Sequence, residues 1–128
     1  MGLIYGIPSY HRPECRTVKT LLNAGIEPER IVVSLQDKSD VATYREKYPS
    51  VRFIFRETDC ASGNRNTLLE NIDARPICLL DDDIRGFSMF SGENFRTNTA
   101  QGIREIERLA LGLARGGGIF SRRGIGYY

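Results

Sequence analysis

The chain has 128 residues, 27% charged and 41% hydrophobic, with 18 basic against 16 acidic side chains and a formal net charge of +2. Domains take roughly 100–200 residues, so one domain of ordinary globular composition is expected, and wholesale disorder, collagen and coiled coil are excluded. No apolar run approaches the ~20 residues of a membrane helix, and the charge balance neither demands nor excludes a nucleic-acid partner.

Leu3-Ile4-Tyr5-Gly6-Ile7 reads as the first strand. Pro13 and Glu14 suit a helix start, because proline in the first turn gives up no needed hydrogen bond. Val18, Leu21 and Leu22 keep one face of that helix apolar, and Gly25 is a C-terminal stop. Ile31-Val32-Val33-Ser34-Leu35 is the second strand. Ser39 or Asp40 would cap a second helix carrying Val41, Tyr44 and Tyr48, which ends before Pro49. Val51-Arg52-Phe53-Ile54-Phe55 is the third strand. Ser62 and Gly63 open a third helix with Leu68, Leu69 and Ile72 on one side, and Ile77-Cys78-Leu79-Leu80 is the fourth strand. Strands one, two and four are continuous apolar runs, as expected of parallel strands covered on both faces. The alternation predicts an α/β, doubly wound, mostly parallel sheet of Rossmann type.

Beyond residue 84 the pattern weakens. Gly86 to Asn98 reads as a loop. Thr97 or Thr99 would cap a fourth helix, with Ile103, Ile106, Leu109, Ala110 and Leu113 towards the core, and Gly116-Gly117-Gly118 would stop it. Ile119-Phe120-Ser121 would begin a fifth strand. Residues 1–128 are thus expected to form a single domain, with 1–86 as the α/β core and 87–128 as loop, helix and short final strand. The ending is abrupt, and the chain is expected to be truncated.

Cys15, Cys60 and Cys78 are odd in number and widely spaced, with no Cys-x-x-Cys, which predicts neither a disulfide framework nor a zinc site and fits a reducing cytoplasm. The N-terminus has no basic segment and no long apolar stretch, so no signal peptide is expected. His11 is the single histidine. Nothing near it in sequence orients it as a general base.

The chemistry concentrates in Leu79-Leu80-Asp81-Asp82-Asp83-Ile84. Side chains alternate along an extended backbone, so Asp81 and Asp83 point the same way. Two like charges at a core edge are costly unless neutralised, and Mg²⁺ or Mn²⁺ prefers carboxylate oxygens while keeping places for phosphates and water. A solvated acidic turn is the plainer alternative. Pro8-Ser9-Tyr10-His11-Arg12 follows the first strand, and ligands of open α/β sheets bind outside the carboxyl ends of strands where the order reverses. There Arg12 would reach a phosphate, Tyr10 would stack on a base, and the helix near Pro13 would offer N–H groups. Ala61-Ser62-Gly63-Asn64-Arg65-Asn66-Thr67 opens the third helix; Gly63 permits close backbone approach, and Arg65 stands against the helix dipole where a diphosphate would justify it. Gln36-Asp37 would bond a base or ribose, or simply lead a helix. Arg122-Arg123 would touch phosphate or lie in solvent.

The order strand, Pro-Ser-Tyr-His-Arg-Pro, helix, strand, Gln-Asp, helix, strand, Gly-Asn-Arg-Asn helix, Leu-Leu-Asp-Asp-Asp-Ile resembles the nucleotide-binding half of GT-A glycosyltransferases over Met1 to about Gly86. Their signature is an Asp-x-Asp motif after the fourth strand. Tyr44-Arg45-Glu46-Lys47-Tyr48-Pro49 with Gly63-Asn64-Arg65-Asn66 and the aspartates looks more narrowly like phage-type glycosyltransferases of hypermodified DNA bases. The resemblance implies that Asp83, with Asp81, binds Mn²⁺ or Mg²⁺ bridging a diphosphate, and that Asp81 also contacts ribose or sugar. It implies that Pro8, Ser9, Tyr10, Arg12 and Asp82 line the nucleotide pocket, with Asp37 near the base and Arg65 near the donor. The implied partners are a nucleoside-diphosphate sugar, UDP-sugar first, and an unknown acceptor, DNA among them.

The chain departs from that family in length. Glu93, Glu105 and Glu107 are the downstream carboxylates, none in a recognisable base motif, so a recognisable acceptor half is lacking. The alternative is a nucleotide-sugar-binding module or fragment without complete turnover. A receiver-type switch would need acidic residues after the first strand, a Toprim-like nuclease a glutamate there, and a sugar nucleotidyltransferase a Gly-rich, Arg-containing loop there; Ser9, Tyr10, His11 and Arg12 meet none of these. An unfinished sheet edge makes a homo-oligomer an expectation.

Overall fold

The computed structural model describes residues 3–72, 76–91, 94–97, 99–116 and 125–127, with the side chains of 88–91, 94–97, 111–116 and 125–127 excepted. The strands β1 (Ile4–Ser9), β2 (Ile31–Leu35), β3 (Arg52–Phe55) and β4 (Ile77–Leu79) form one all-parallel sheet in the order β3-β2-β1-β4. Three helices connect them: α1 (Arg16–Asn23), α2 (Val41–Lys47) and α3 (Ala61–Asn71).

Alternate strand residues feed two cores. Tyr5, Ile7, Ile31, Val33 and Leu35 pack with Val18 and Leu21 of α1 and Tyr44 of α2. Val32 packs with Leu68 of α3 and Ile72 just past its end, joined by Ile4, Ile54 and Ile77 on the opposite face. Helices therefore cover both faces, as the continuous apolar runs predict. β2 is buried at every residue, whereas β4 stands at the edge of the order and exposes Leu79 by 39%.

The chain leaves β1 in one direction to build β2 and β3, and returns on its other side as β4. The strand order therefore reverses beside β1, and the loops after β1 and β4 diverge there. Pro8 helps to open that gap. Ile4 N donates to Pro76 O and Gly6 O accepts from Leu80 N, so the even-numbered residues of β1 bond towards β4. Pro8 is the next of that parity and has no N–H to give.

Several boundaries differ from expectation. α1 begins at Arg16, three residues after Pro13, because Cys15 takes a left-handed φ of 35° and the loop turns once more, through Cys15 N to Arg12 O, before the helix. A 3₁₀ turn, Lys38–Asp40, precedes α2, and Asp37 caps it by accepting from Ser39 N. Cys60, not Ser62, caps α3, its sulfur accepting from Gly63 N. Leu69 is 45% exposed, since consecutive helical residues point about 100° apart and only Leu68 and Ile72 share the inward face.

The stretch read as a loop, Gly86 to Asn98, carries two strands. β5 (Phe87–Ser91) pairs antiparallel with β6 (Asn94–Thr97), Phe90 opposite Phe95. Glycine, serine and asparagine suggest a loop by composition, but the backbone of the two segments pairs in register as a hairpin. After α4 (Thr99–Gly116), β7 (Ile125–Tyr127) joins the other edge of β5. α4 brings Ile103, Ile106 and Ala110 into the main core, with Leu109 against it. Gly102 lies so close to β5 that a Cβ there would meet Phe87 Cβ at 2.7 Å. The Leu113 side chain, Gly117, Gly118 and the Ile119-Phe120-Ser121 strand lie outside what is described. Among the described residues no helix is long and apolar enough to cross a membrane.

Candidate functional site

A hollow of about 400 Å³ opens at the carboxyl end of the parallel sheet, where the strand order reverses. Ligand pockets run from roughly 300 to 1,000 Å³, so the space suits a small molecule. Pro8, Ser9, Tyr10 and Arg12 from the β1 loop, Arg65 from α3, and Asp81, Asp82 and Asp83 after β4 all line it, together with Gln36, Ala61 and Asn64. Asp37 is not among the lining side chains. Its carboxylate accepts from the backbone N–H and the hydroxyl of Ser39, which hold it below the usual carboxylate range, and lies 3.3 Å from His11 Nε2.

α1 fixes the aspartate loop by its backbone. Thr17 Oγ1 donates to Asp81 O and accepts from Ile84 N, Thr17 N donates to Asp82 O, and Thr20 Oγ1 donates to Ile84 O. Three first-turn N–H groups of α1 are spent: Thr17 on Asp82, Val18 and Lys19 on Cys15 O. The helix N-terminus that faces the hollow is that of α3, through Ala61, Asn64 and Arg65. Gly63 is crowded by its own neighbours rather than by open space, for a Cβ there would meet Thr58 Oγ1 at 2.1 Å.

The aspartates follow β4 in a turn at Asp82 and Asp83, not on the extended backbone that the sequence suggested, and their exposure differs. Asp81 and Asp83 are exposed, with side chains 52% and 64% accessible, while Asp82 between them is 11% accessible. Asp82 ends a directed chain of hydrogen bonds. A carboxylate only accepts, so Ser9 Oγ donates its one proton to Asp82 Oδ2 at 2.7 Å. Tyr44 OH must then donate to Ser9 Oγ, also at 2.7 Å, and it accepts from Arg12 N at 2.7 Å. Burial pushes the Tyr44 hydroxyl up to about 12, so it keeps the proton that this chain needs. Arg12 returns through its guanidinium, 3.0 Å from Asp82 and 3.4 Å from Asp83; the Asp82 carboxylate raises its pKa further. Arg65 stands 3.6 Å from Asp81.

His11 is oriented after all. Its backbone N donates to Asp40 Oδ2, and its ring nitrogens face Asp40 at 3.0 Å and Asp37 at 3.3 Å. These contacts hold it in a left-handed conformation with φ 53° and close the β1 loop. Asp40 stands at the α2 N-cap but makes no cap hydrogen bond there; its carboxylate goes to His11.

Asn64 is a residue that sequence reasoning placed only inside a motif. It is 2% exposed, and its Nδ2 donates to Ser9 O at 3.1 Å. Its Oδ1 is buried without a partner among the described residues. A buried acceptor left empty costs about 1–3 kcal/mol, which a ligand N–H or O–H would recover. Tyr44, Thr17 and Thr20 also escaped notice, because each reads as part of a helix face. The available signal was polar atoms at inward positions.

Two arginines against three aspartates leave this hollow one negative charge in excess. Alone it would repel a diphosphate. Two exposed carboxylates of hard oxygen chemistry fit a divalent cation whose remaining places go to phosphate and water. Among the described residues no three His, Cys, Asp or Glu side chains gather into a complete cage. The downstream carboxylates lie elsewhere: Glu105 pairs with Arg108, and Glu107 with Tyr5 and Arg30 at the amino end of the sheet. Glu93 and Arg122-Arg123 lie outside the described residues. Cys15 and Cys78 are free thiols pushed up to about 12 by burial, which makes them poor nucleophiles.

Compared with protein-family models, with curated proteins and with solved structures, the chain gives no match in any of the three.

Proposed function

We propose that this hollow is the donor site of a metal-dependent glycosyltransferase of GT-A type, which takes a sugar from a nucleoside diphosphate, UDP first, to an acceptor such as a modified DNA base. The observation that carries the reading is the convergence of Ser9, Arg12, Arg65 and three aspartates on one hollow at the strand-order reversal. Asp83 and Asp81 would hold Mn²⁺ or Mg²⁺. The cation supplies charge neutralisation for the departing diphosphate. Arg12 and Arg65, freed from the carboxylates they now pair with, turn to the phosphate oxygens. Asp82 stays in its hydrogen-bond chain and holds Ser9 and the Arg12 loop in place. Tyr10 offers an exposed ring at the mouth for a base.

A second reading, a nucleotide-sugar-binding module without turnover, has its own support. Apart from the three aspartates, no carboxylate among the described residues lines the hollow to deprotonate an acceptor. Calorimetric titration of UDP with and without Mn²⁺ tests both readings. Metal-dependent binding that weakens at least tenfold in Asp83→Ala is expected. No binding of any nucleoside diphosphate would sink both. Binding without sugar transfer or donor hydrolysis would select the module.

A further inference from the structure

We infer that the outer face of α1 is a nucleic-acid groove that holds a phosphodiester backbone. A second hollow, about 820 Å³, lies there. Arg16 and Lys19 come from α1, Lys47 from the end of α2, and Arg85 from the loop two residues after Asp83. Glu14 is the one carboxylate among the lining residues. Four cations against one acid leave this hollow +3, whereas the whole chain is only +2.

These cations are also unspent. Arg12, Arg30, Arg56, Arg65 and Arg108 each pair with a carboxylate. Arg16, Lys19, Lys47 and Arg85 are exposed and pair with none among the described residues. Like charges are held together at a cost that a polyanion relieves, with release of its own counterions. Guanidinium forks suit phosphate oxygens, and lysines add point charges. A bilayer is the poorer fit. The large hydrophobics exposed among the described residues are Tyr10, Phe55, Leu69 and Leu79, none of them lining the groove, whereas insertion among lipids calls for such side chains beside the cations.

The groove is continuous with the donor hollow. A third depression shares Arg12, Asp82 and Asp83 with the donor site and Glu14 and Arg16 with the basic groove. A strand lying along α1 therefore passes beside the aspartates. Its part as the sugar acceptor rests on the donor-site reading; its binding does not.

The test is fluorescence anisotropy of a short labelled DNA duplex on the whole chain over a series of salt concentrations. Lys19→Ala with Arg85→Ala should weaken binding at least tenfold at low salt. The slope of log affinity against log salt should fall by about 0.9 for each cation removed. Arg104→Ala, an exposed cation on α4 outside the groove, should change neither by as much. UDP affinity should stay the same in every variant. No duplex binding by the intact protein would overturn the inference. So would an Arg104→Ala loss equal to that of Lys19→Ala, or displacement of the duplex by polyglutamate or phosphatidylserine vesicles at equal charge. Duplex binding that persists where UDP fails to bind upholds the groove and removes only the donor reading.

Discussion

The two ends of the parallel sheet are built from the same parts and settle them differently. At the amino end, the buried Tyr5 hydroxyl donates to Glu107, Arg30 closes on the same carboxylate, and Arg30 Nε donates to Leu3 O. At the carboxyl end, the buried Tyr44 hydroxyl feeds Ser9, Ser9 feeds Asp82, and Arg12 closes on Asp82. The first set ties α4 to the sheet. The second adjoins a hollow with an excess carboxylate, two exposed aspartates and the unpartnered Asn64 Oδ1. Equal chemistry thus locks one end and leaves the other with an excess negative charge and a buried acceptor without a partner among the described residues, which is where a ligand gains most.

Alkali should break both ends at once, with the largest effect. Tyr5 and Tyr44 hold their protons above the ordinary tyrosine value, and Cys15 and Cys78 hold theirs up to about 12 against an ordinary 9.0. Above pH 9 the unfolded chain therefore binds fewer protons than the native one, and stability falls as pH rises. Each such group removes up to about 1.4 kcal/mol per pH unit across its own window. Urea midpoints should hold up to pH 8 and fall steeply from pH 9 to 11. A flat profile would mean that these groups ionise freely in the native state.

Glu107→Ala should break the amino end alone. It strands the Tyr5 hydroxyl and the Arg30 guanidinium, and a loss of about 2–3 kcal/mol is expected in chemical denaturation. UDP affinity, measured where the variant is folded, should not move. A tenfold fall would show that the two ends are coupled.

Tyr44→Phe should loosen the carboxyl end by about 1–2 kcal/mol, because Arg12 N and Ser9 Oγ lose their shared partner while the ring still fills its space. Unlike Glu107→Ala, it should also weaken nucleotide binding severalfold, since the Arg12 loop is what it orients. Loss of stability with unchanged affinity would make the hydrogen-bond chain structural only.

How far these ends are legible in sequence follows from the chemistry of each residue. β2 was readable because five residues in a row are buried and apolar save Ser34. The place of Asp81, Asp82 and Asp83 was readable because the apolar run of β4 stops just before them, but their turn was not, since an extended reading puts a strand where the chain already bends. The hairpin of β5 and β6 was not, since it is short and rich in serine and asparagine. Tyr44 looked like one more apolar residue on a helix face, and its hydroxyl matters only once β1 is placed beside α2. The late start of α1 depends on a left-handed cysteine, a residue type that gives no warning of that conformation.

Asp37 sharpens the comparison with the smallest effect. After a strand, an aspartate serves equally well as a ligand for ribose or as a helix cap, and sequence does not separate the two. Here its carboxylate accepts from Ser39 N and lies beside His11, away from the lining of the hollow. Asp37→Ala should lower the urea midpoint only slightly, through the lost cap on an exposed turn. UDP affinity should change less than twofold, against the loss of tenfold or more in Asp83→Ala. If Asp37→Ala instead weakened UDP as strongly as Asp83→Ala while leaving stability untouched, the 3₁₀ turn would have to open on binding and release this carboxylate to the nucleoside. The donor site would then reach past Gln36 to a side chain that the free protein spends on its own backbone.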